Sequence, residues 1–455
     1  MGKIKKIFSE EELNESKLAL LLVGMVAIAP ICTVIFRALN IYYINISFTI
    51  TKIVGYIGCA FFILKLVKAL KNEKNNFIKN NNYAPLILFM CFVIWALIAC
   101  FFADDMNKSF FGGTRKEGFF TYLMYGGICF LACMIKHQDK KTVCDLLISS
   151  AIVLAVLGFL DFEGKYLLFP YWDSLSSVFT NPNHYGYFLV IPVICSASLT
   201  VEKEWHLKIF YTIAYTLLVI TLIDTGTSGS FIAAAISILG LLIYQLISKK
   251  KFAHIIICLV ILICCTLFHQ SKYSNRPLIK DISDIVNQVV SVFSNESGVF
   301  LSMVNDDLKD YSELDSEETK VARYGSGRLL IWINSAKLIL KSPIVGYGME
   351  NITTEMMRLN NTSPHNLILS LGLFTGVPGA CFYLFGVAIV MIVGLWNLKK
   401  MDEIEALCYF SCLGYLISSM FGTSKYYTSP FFFVFFGMVY GAWLISMTNK
   451  EESNN

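Results

Sequence analysis

Residues 361–397 read NTSPHNLILSLGLFTGVPGACFYLFGVAIVMIVGLWN, a stretch without a single Asp, Glu, Lys or Arg. Because a bilayer crossing needs roughly 20 apolar residues, the run predicts a membrane-spanning helix over residues 365–397. Ser363 is a good N-cap and Pro364 suits the first helical position. We therefore expect the helix to begin just before His365.

The position of His365 makes it a candidate catalytic residue. In the first turn of a helix, the positive end of the macrodipole disfavours imidazolium, so a neutral histidine there can accept a proton. The alternative interpretation is a histidine at the membrane interface with its polar tip in water.

Apolar runs of similar length recur along the chain. Of its 455 residues, 56% are hydrophobic and 15% are charged, which is typical of a polytopic membrane protein. We predict an all-α integral membrane bundle of about twelve transmembrane helices. The predicted spans are 18–38, 45–66, 84–102, 119–136, 144–161, 185–200, 207–223, 229–247, 252–269, 365–397, 404–421 and 428–447. The run Thr375-Gly376-Val377-Pro378-Gly379 predicts a break in the long span.

Lysine-rich loops alternate with lysine-poor ones, which sets the expected orientation. With the N-terminus in the cytoplasm, the inner loops receive the lysine clusters, such as Lys249-Lys250-Lys251 and Lys399-Lys400. This predicts a multi-pass protein of the cell membrane with an N-terminal bundle (1–269), one large extracytoplasmic loop (270–363) and C-terminal helices (364–455). The net charge of +4 comes mostly from this inner lysine, so no nucleic-acid partner is expected.

The large outer loop has three parts. Residues 281–300 carry apolar residues at helical spacing, which predicts an amphipathic helix on the membrane or on the bundle. Residues 305–320 are acidic and predict a solvated segment. Gly325-Ser326-Gly327-Arg328 then predicts the start of a second amphipathic helix, which ends before Pro343. Its predicted apolar face consists of Leu329, Trp332, Ile333, Ala336, Ile339 and Leu340.

Arg328 at a helix start is suited to bind an anion, because free N–H groups, the helix dipole and a guanidinium would face the same ligand. The alternative is that the glycines only cap the helix and Arg328 pairs with the acidic segment.

Three other polar motifs are predicted to lie on the same outer face. They are the glycine-bounded turn with Arg115 and Lys116, the Asn181-Pro182-Asn183 turn, and the stretch Asp224–Ser230, which contains Ser228. Each motif is also compatible with an ordinary turn. Arg115 and Lys116 could equally anchor the protein to lipid headgroups.

The sequence indicates neither a metal site nor a cofactor. All 14 cysteines lie in or beside predicted spans without acidic or histidine partners, so they predict no zinc site and no disulfide framework. The outer loops contain no P-loop, and Asp104-Asp105 is a poor metal candidate.

Taken in order, these motifs resemble the bacterial O-antigen ligases and O-antigen polymerases of surface polysaccharide assembly. The resemblance rests on Gly325–Arg328 with Trp332 and Pro343, on Gly346-Tyr347-Gly348-Met349-Glu350-Asn351, and on His365-Asn366 followed by Gly372, Gly376 and Gly379. It extends to Asn181–Asn183, Thr225–Gly229, and Phe111-Gly112 with Arg115 and Glu117-Gly118. It covers about residues 100–440, with a ligase/polymerase-like region at about 210–395. One departure is Ser228, which stands where the family often carries an arginine.

The resemblance implies a metal-independent glycosyltransferase that moves a glycan from a polyprenyl-diphosphate carrier to an acceptor hydroxyl outside the cytoplasmic membrane. The acceptor is a glycan or a lipid, and membrane lipids surround the site. The chemistry calls for a base, which His365 can provide, and for cations on the leaving diphosphate. Arg328 is the principal cation, and the further donor contacts expected are Arg115, Lys116, Asn183, Asn366 and Ser228.

Other functions remain open at this stage. Ligase and polymerase need the same donor and base; the Lys-, Asn- and Ile-rich composition favours capsule or wall-polysaccharide polymerisation. A transporter or flippase of lipid-linked glycans is the competing class, and Lys52 in a central cavity with an acidic partner would favour it. A non-catalytic receptor or scaffold would tolerate replacement of His365 and Arg328.

Overall fold

The structure is a computed structural model. It describes residues 2–39, 45–71, 83–161, 175–179, 181–249, 252–272, 297–309, 311–322, 324–351, 363–422 and 426–454, together with residues 283, 286, 287 and 290. Within these ranges the regular secondary structure is helical and contains no β-strand. The predicted all-α class is confirmed.

The described parts of the chain form sixteen α-helices. In chain order they are α1 Gly2–Ala38, α2 Ile46–Lys71, α3 Ala84–Phe101, α4 Met106–Phe111, α5 Phe119–Cys133, α6 Lys140–Asp161, α7 Pro182–Leu199, α8 Trp205–Asp224, α9 Ser228–Lys249, α10 Phe252–Lys272, α11 Ser297–Asn305, α12 Ser316–Ala322, α13 Tyr324–Lys341, α14 Leu367–Asn397, α15 Glu403–Ser419 and α16 Ser429–Asn454.

Each of the twelve predicted spans coincides with one of these helices. By length and composition, seven stretches of the described chain are able to cross a membrane: Asn14–Ala38, Ile46–Lys68, Ala84–Phe101, His137–Asp161, Trp205–Asp224, Ser228–Ser248 and Leu367–Lys400. Three shorter helical stretches are also apolar, namely Phe119–Cys133, Ile256–Phe268 and Ser429–Leu444. The protein is thus a helical membrane protein, while the number of twelve spans stays a prediction.

Helix α7 lies in the middle of the bundle. Every side chain from His184 to Leu199 is buried, and the helix packs against α6, α8, α9 and α15. A helix that is buried all round is surrounded by protein rather than by lipid. The polar residues at its N-terminus are therefore held in a fixed place relative to four other helices.

Small residues bring α2 and α5 close together. A Cβ added at Gly58 would overlap the Gly127 carbonyl, and one added at Gly127 would overlap the Gly55 carbonyl. Contacts of this kind between membrane helices depend on glycine, because only glycine allows the backbones to approach so closely.

The predicted break in α14 is confirmed at Gly376, which has φ 65° and ψ −177°. The segment after α13 satisfies backbone groups around the break. Val377 N donates to Pro343 O at 2.7 Å, and Tyr347 N donates to Leu373 O at 2.8 Å. On the other side, Trp95 Nε1 donates to Thr375 O at 3.0 Å. A break in a buried helix is stable only when its freed polar groups find partners in this way.

The predicted start of α14 is wrong by two residues. The helix begins at Leu367 with Asn366 as N-cap, and the Asn366 side chain accepts a hydrogen bond from Leu369 N at 3.1 Å. His365 lies outside the helix at φ 50°. Ser363 does not cap the helix; its Oγ accepts from His365 N at 3.3 Å and closes a local turn. Asparagine is among the best N-caps, which explains why it takes the capping position.

The predicted start of α13 at Gly325–Arg328 and its predicted end before Pro343 agree with the structure to within one residue at the start. Helix α13 begins at Tyr324, so Arg328 is its fifth residue. The glycines before it continue the helix instead of capping it, because packing of later residues stabilises the helix against their poor propensity. The unpaired N–H groups of the first turn therefore belong to residues before Arg328. Arg328 itself can bind an anion through its guanidinium group.

The buried face of α13 differs from the predicted one. Ala336 and Leu340 are exposed, whereas Leu330, Asn334 and Leu338 are buried. The reason is that α13 packs on two sides. Leu330 belongs to a small cluster with α11 and α12, while Leu338 belongs to the main core that α14 joins.

Most described residues of the acidic segment at 305–320 are exposed, in line with the prediction of a solvated segment, while Glu318 is buried. Lys309 Nζ lies 2.8 Å from Asp306 Oδ2 and 2.9 Å from Glu318 Oε1. These hydrogen bonds raise the pKa of Lys309. The Lys309 carbonyl accepts from Asn334 Nδ2 of α13 at 2.9 Å. Lys309 thus links the two carboxylates within a segment whose other side chains are mostly exposed.

The predicted amphipathic helix at 281–300 falls largely outside the described residues. Those described at positions 283, 286, 287 and 290 are helical, and the side chains of Val286 and Val290 are exposed. Its expected contact with the membrane or the bundle stays a prediction.

Candidate functional site

A hydrogen bond joins the helix that carries Arg328 to the peptide that precedes His365. Trp332 Nε1 donates to Pro364 O at 2.9 Å. Residues four apart on a helix lie on the same face, so Arg328 and Trp332 share one side of α13. The bond therefore joins the segments that carry the two residues expected to do the chemistry, although 37 positions separate them in the sequence.

His365 adopts a left-handed backbone conformation directly before α14. This conformation is uncommon for residues other than glycine, and such residues cluster at functional sites. The side chain is half-buried. Asn366 caps the helix and also donates from Nδ2 to Met420 O at 3.2 Å, so the peptide after His365 is fixed to the end of α15.

The end of α15 also holds the surroundings of Arg328. Tyr187 Oη donates to Phe421 O at 2.7 Å, and the Arg328 guanidinium lies beside the same hydroxyl and hydrogen-bonds with it. The carbonyls of two consecutive residues, Met420 and Phe421, thus accept hydrogen bonds from Asn366 and Tyr187. The residues directly after α15 therefore contact both sides of the candidate site.

The N-termini of α7 and α9 complete this end of the bundle. Asn181 caps α7 and accepts from Asn183 N at 2.8 Å, and Thr227 Oγ1 donates to Asn183 Oδ1 at 3.3 Å. Ser228 is the first residue of α9 and is half-buried. The next residue, Gly229, lies against Phe421, since a Cβ there would come within 2.9 Å of the Phe421 Cβ. Asn183 and Ser228 are thereby brought to the same place as Arg328 and His365.

Arg115 and Lys116 belong to a second group, which is built around Glu350. The Glu350 carboxylate accepts hydrogen bonds from Gly113 N at 2.9 Å, Arg115 N at 2.7 Å and Glu117 N at 2.7 Å. Burial lowers the pKa of Arg115, and the charges of Glu350 and Glu117 partly offset this. Lys116 is exposed at φ 59°, so it is the cation of this turn that faces outward.

Sequence reasoning gave no role to Glu350, Tyr187 or the last turn of α15. Glu350 appeared only as one residue of the Gly346–Asn351 motif. Tyr187 resembled an ordinary residue of a membrane helix. Its partner is a backbone carbonyl, which no sequence pattern marks.

A separate polar group lies at the other end of α15. His137 Nε2 is 2.7 Å from Asp402 Oδ2, and His137 Nδ1 is 3.8 Å from Glu405 Oε1. Residues of these types can hold a metal ion, and their ligand atoms lie within 4.8 Å of one another. The group sits at the start of α15, whereas the candidate site sits at its end, about 25 Å away along a helix of 17 residues. It is therefore remote from Arg328 and His365.

Comparison with known proteins gives one family. The model of the O-antigen ligase family matches residues 213–384. A search of curated proteins finds no match. The matched range contains Ser228, Arg328, His365 and Asn366 of the candidate site, and it leaves Arg115, Lys116 and Asn183 outside. Over residues 213–384, the chain is thus similar to the O-antigen ligase family.

Proposed function

We propose that the protein is a membrane glycosyltransferase that transfers a glycan from a polyprenyl-diphosphate carrier to an acceptor hydroxyl on the outer side of the cytoplasmic membrane. The observation that supports the proposal is the Trp332–Pro364 hydrogen bond, which joins the helix of Arg328 to the peptide before His365 inside the matched family region. A cation and a base at one site are what glycan transfer from a diphosphate requires.

In the proposed reaction, His365 takes the proton of the acceptor hydroxyl as its oxygen attacks the anomeric carbon of the donor. The bond between that carbon and the diphosphate oxygen breaks, and the polyprenyl diphosphate leaves with the electron pair. Arg328 stabilises the negative charge on the leaving group through its planar guanidinium. The protonated histidine later returns its proton to water.

The remaining predicted donor contacts have different roles in this proposal. Asn183 and Ser228 supply polar groups at the N-termini of α7 and α9, where anions are favoured. The Oδ1 atom of Asn366 caps α14 and its Nδ2 donates to the Met420 carbonyl. In this proposal, Asn366 therefore supports the site by holding the neighbouring His365 in place. Lys116 offers an exposed charge, while Arg115 shares its charge with Glu350 and Glu117.

The donor is the same for polymerisation of repeat units and for ligation of a finished chain. On composition we favour polymerisation of a capsule or wall polysaccharide. The reaction as proposed needs no metal and no nucleotide. Transport of the lipid-linked glycan is the alternative, and its expected signature was Lys52 in a central cavity. Lys52 is instead exposed on α2, with its ammonium over the Tyr56 ring at 5.8 Å from the centroid.

The test is an assay with purified protein in lipid and a polyprenyl-diphosphate-linked repeat unit from the source cells. We expect wild type to form a ladder of products on a gel and His365→Ala to form none at equal protein abundance. His206→Ala is the matched control, because His206 is exposed and lies beside Glu204 at the start of α8. A ladder from His365→Ala would contradict the assigned base.

A further inference from the structure

One buried carboxylate closes the turn that carries Arg115 and Lys116. Three backbone N–H groups of this turn point at the Glu350 carboxylate, at 2.7–2.9 Å. Glu350 is only 2% exposed. A buried carboxylate is costly unless it is hydrogen-bonded, and hydrogen bonds to an ionised acceptor are the strong ones. The ring of amides, with Arg115 beside it, supplies this compensation.

The backbone adopts an unusual conformation both at Glu350 and in the turn that its carboxylate binds. Glu350 has φ 48° and Lys116 has φ 59°, which places both in the left-handed region that glycine occupies more easily. A Cβ at Gly118 would overlap Gly112 N, so the two ends of the turn meet only because both lack side chains. Since glycine would fit position 350 with less strain, what glutamate supplies there is its carboxylate.

The segment that carries Glu350 is fixed to the helices of the candidate site. Gly348 N donates to Phe374 O of α14 at 3.0 Å, and Tyr347 Oη donates to Leu338 O of α13 at 3.0 Å. Helix α13 carries Arg328, and α14 follows His365. Whatever binds Glu350 is thereby set at a defined place relative to these two residues.

We propose that Glu350 is a positioning residue of the donor site. Its carboxylate binds the amides of Gly113, Arg115 and Glu117 and holds the cationic turn at a fixed place relative to α13 and α14. The exposed Lys116 then faces the same donor as Arg328. This inference rests on the proposed function, because the turn matters only if a lipid-linked diphosphate is bound there.

The test variant is Glu350→Gly, which suits the left-handed backbone and leaves the amides without their carboxylate. We expect its donor KM to rise at least about tenfold while kcat changes much less, since loss of charge-assisted hydrogen bonds loosens binding rather than chemistry. Added formate, a free carboxylate that fits the vacated place, should restore the donor KM. Formamide, which has the same shape without the charge, should not.

Two further variants guard against a merely structural effect. Glu350→Gln keeps the size of the side chain but turns an NH₂ group toward N–H donors, so we expect a raised donor KM that formate does not restore. Glu317→Gln removes an exposed carboxylate of α12 and should behave as wild type. A wild-type donor KM in Glu350→Gly, or formate rescue in Glu350→Gln as well, would overturn the inference.

Thermal unfolding tests the anion site without using activity. Formate should raise the Tm of Glu350→Gly and leave the Tm of wild type unchanged, because a ligand that binds only the folded state stabilises it. An unchanged Tm in the glycine variant would overturn the inference. If wild type makes no product while this shift is present, the proposed function fails and the carboxylate site stands.

Discussion

The chemistry assigned to this protein depends on the type of a few residues rather than on their charge alone. Arg328 is a guanidinium next to a tyrosine hydroxyl, and His365 is an imidazole held outside a helix by its own backbone conformation. A planar guanidinium binds diphosphate oxygens through two parallel hydrogen bonds, which an ammonium does not reproduce. The residue type at position 328 is therefore part of the proposed mechanism.

Arg328→Lys keeps the charge and removes the planar group. We expect kcat/KM for the lipid-linked donor to fall by about 10–100-fold, because a bidentate contact to the leaving group is lost. Steady-state kinetics at equal protein abundance measures this. Arg37→Lys is the control, since the hydrogen bond from Arg37 Nη2 to the Val178 carbonyl is one that lysine can also make. Equal kcat/KM in Arg328→Lys and wild type would argue against direct contact with the diphosphate.

At the scale of elements, the site forms where helix ends meet. The start of α14, the starts of α7 and α9, and the end of α15 converge, and α13 joins them through Trp332. The sequence predicted the helices and the break at Gly376, because apolar run length, glycine and proline are local signals. It misplaced the start of α14, because the competition between Ser363 and Asn366 for the capping position is decided by tertiary contacts.

Trp332→Phe tests the contact between α13 and α14. The variant keeps an aromatic ring and loses the N–H that binds the Pro364 carbonyl. We expect kcat to fall by about tenfold with a smaller change in donor KM, because His365 loses its fixed place relative to the bound donor.

Trp396→Phe is the matched control, since Trp396 is 79% exposed near the end of α14. Thermal unfolding of both variants separates a loss of alignment from a loss of stability. An unchanged kcat in Trp332→Phe would show that the hydrogen bond does not align the site.

For the whole molecule, composition alone identified a helical membrane protein, because so many apolar residues need a bilayer. The inner lysine pattern predicts that the loops of Arg328, His365, Asn183 and Ser228 share the outer face, and this orientation stays a prediction. The role of Glu350 was beyond reach from sequence, because it depends on the three-dimensional approach of two segments more than 230 positions apart.

A chelator tests the metal-free mechanism at this scale. We expect glycan transfer to continue unchanged after EDTA treatment, because arginine stabilises the leaving group and the His137–Asp402–Glu405 group is remote from it. Transfer measured with and without added Mg²⁺ or Mn²⁺ checks this. A strict requirement for a divalent ion that persists in His137→Ala would place a metal at the site itself and contradict the proposed mechanism.

The most direct test of the central claim is to count polyprenyl diphosphate released for each glycosidic bond formed by the purified protein in lipid. The account predicts one carrier released per bond in wild type, and neither product in His365→Ala. Donor that crosses the bilayer intact without release of the carrier would contradict it and would indicate transport instead.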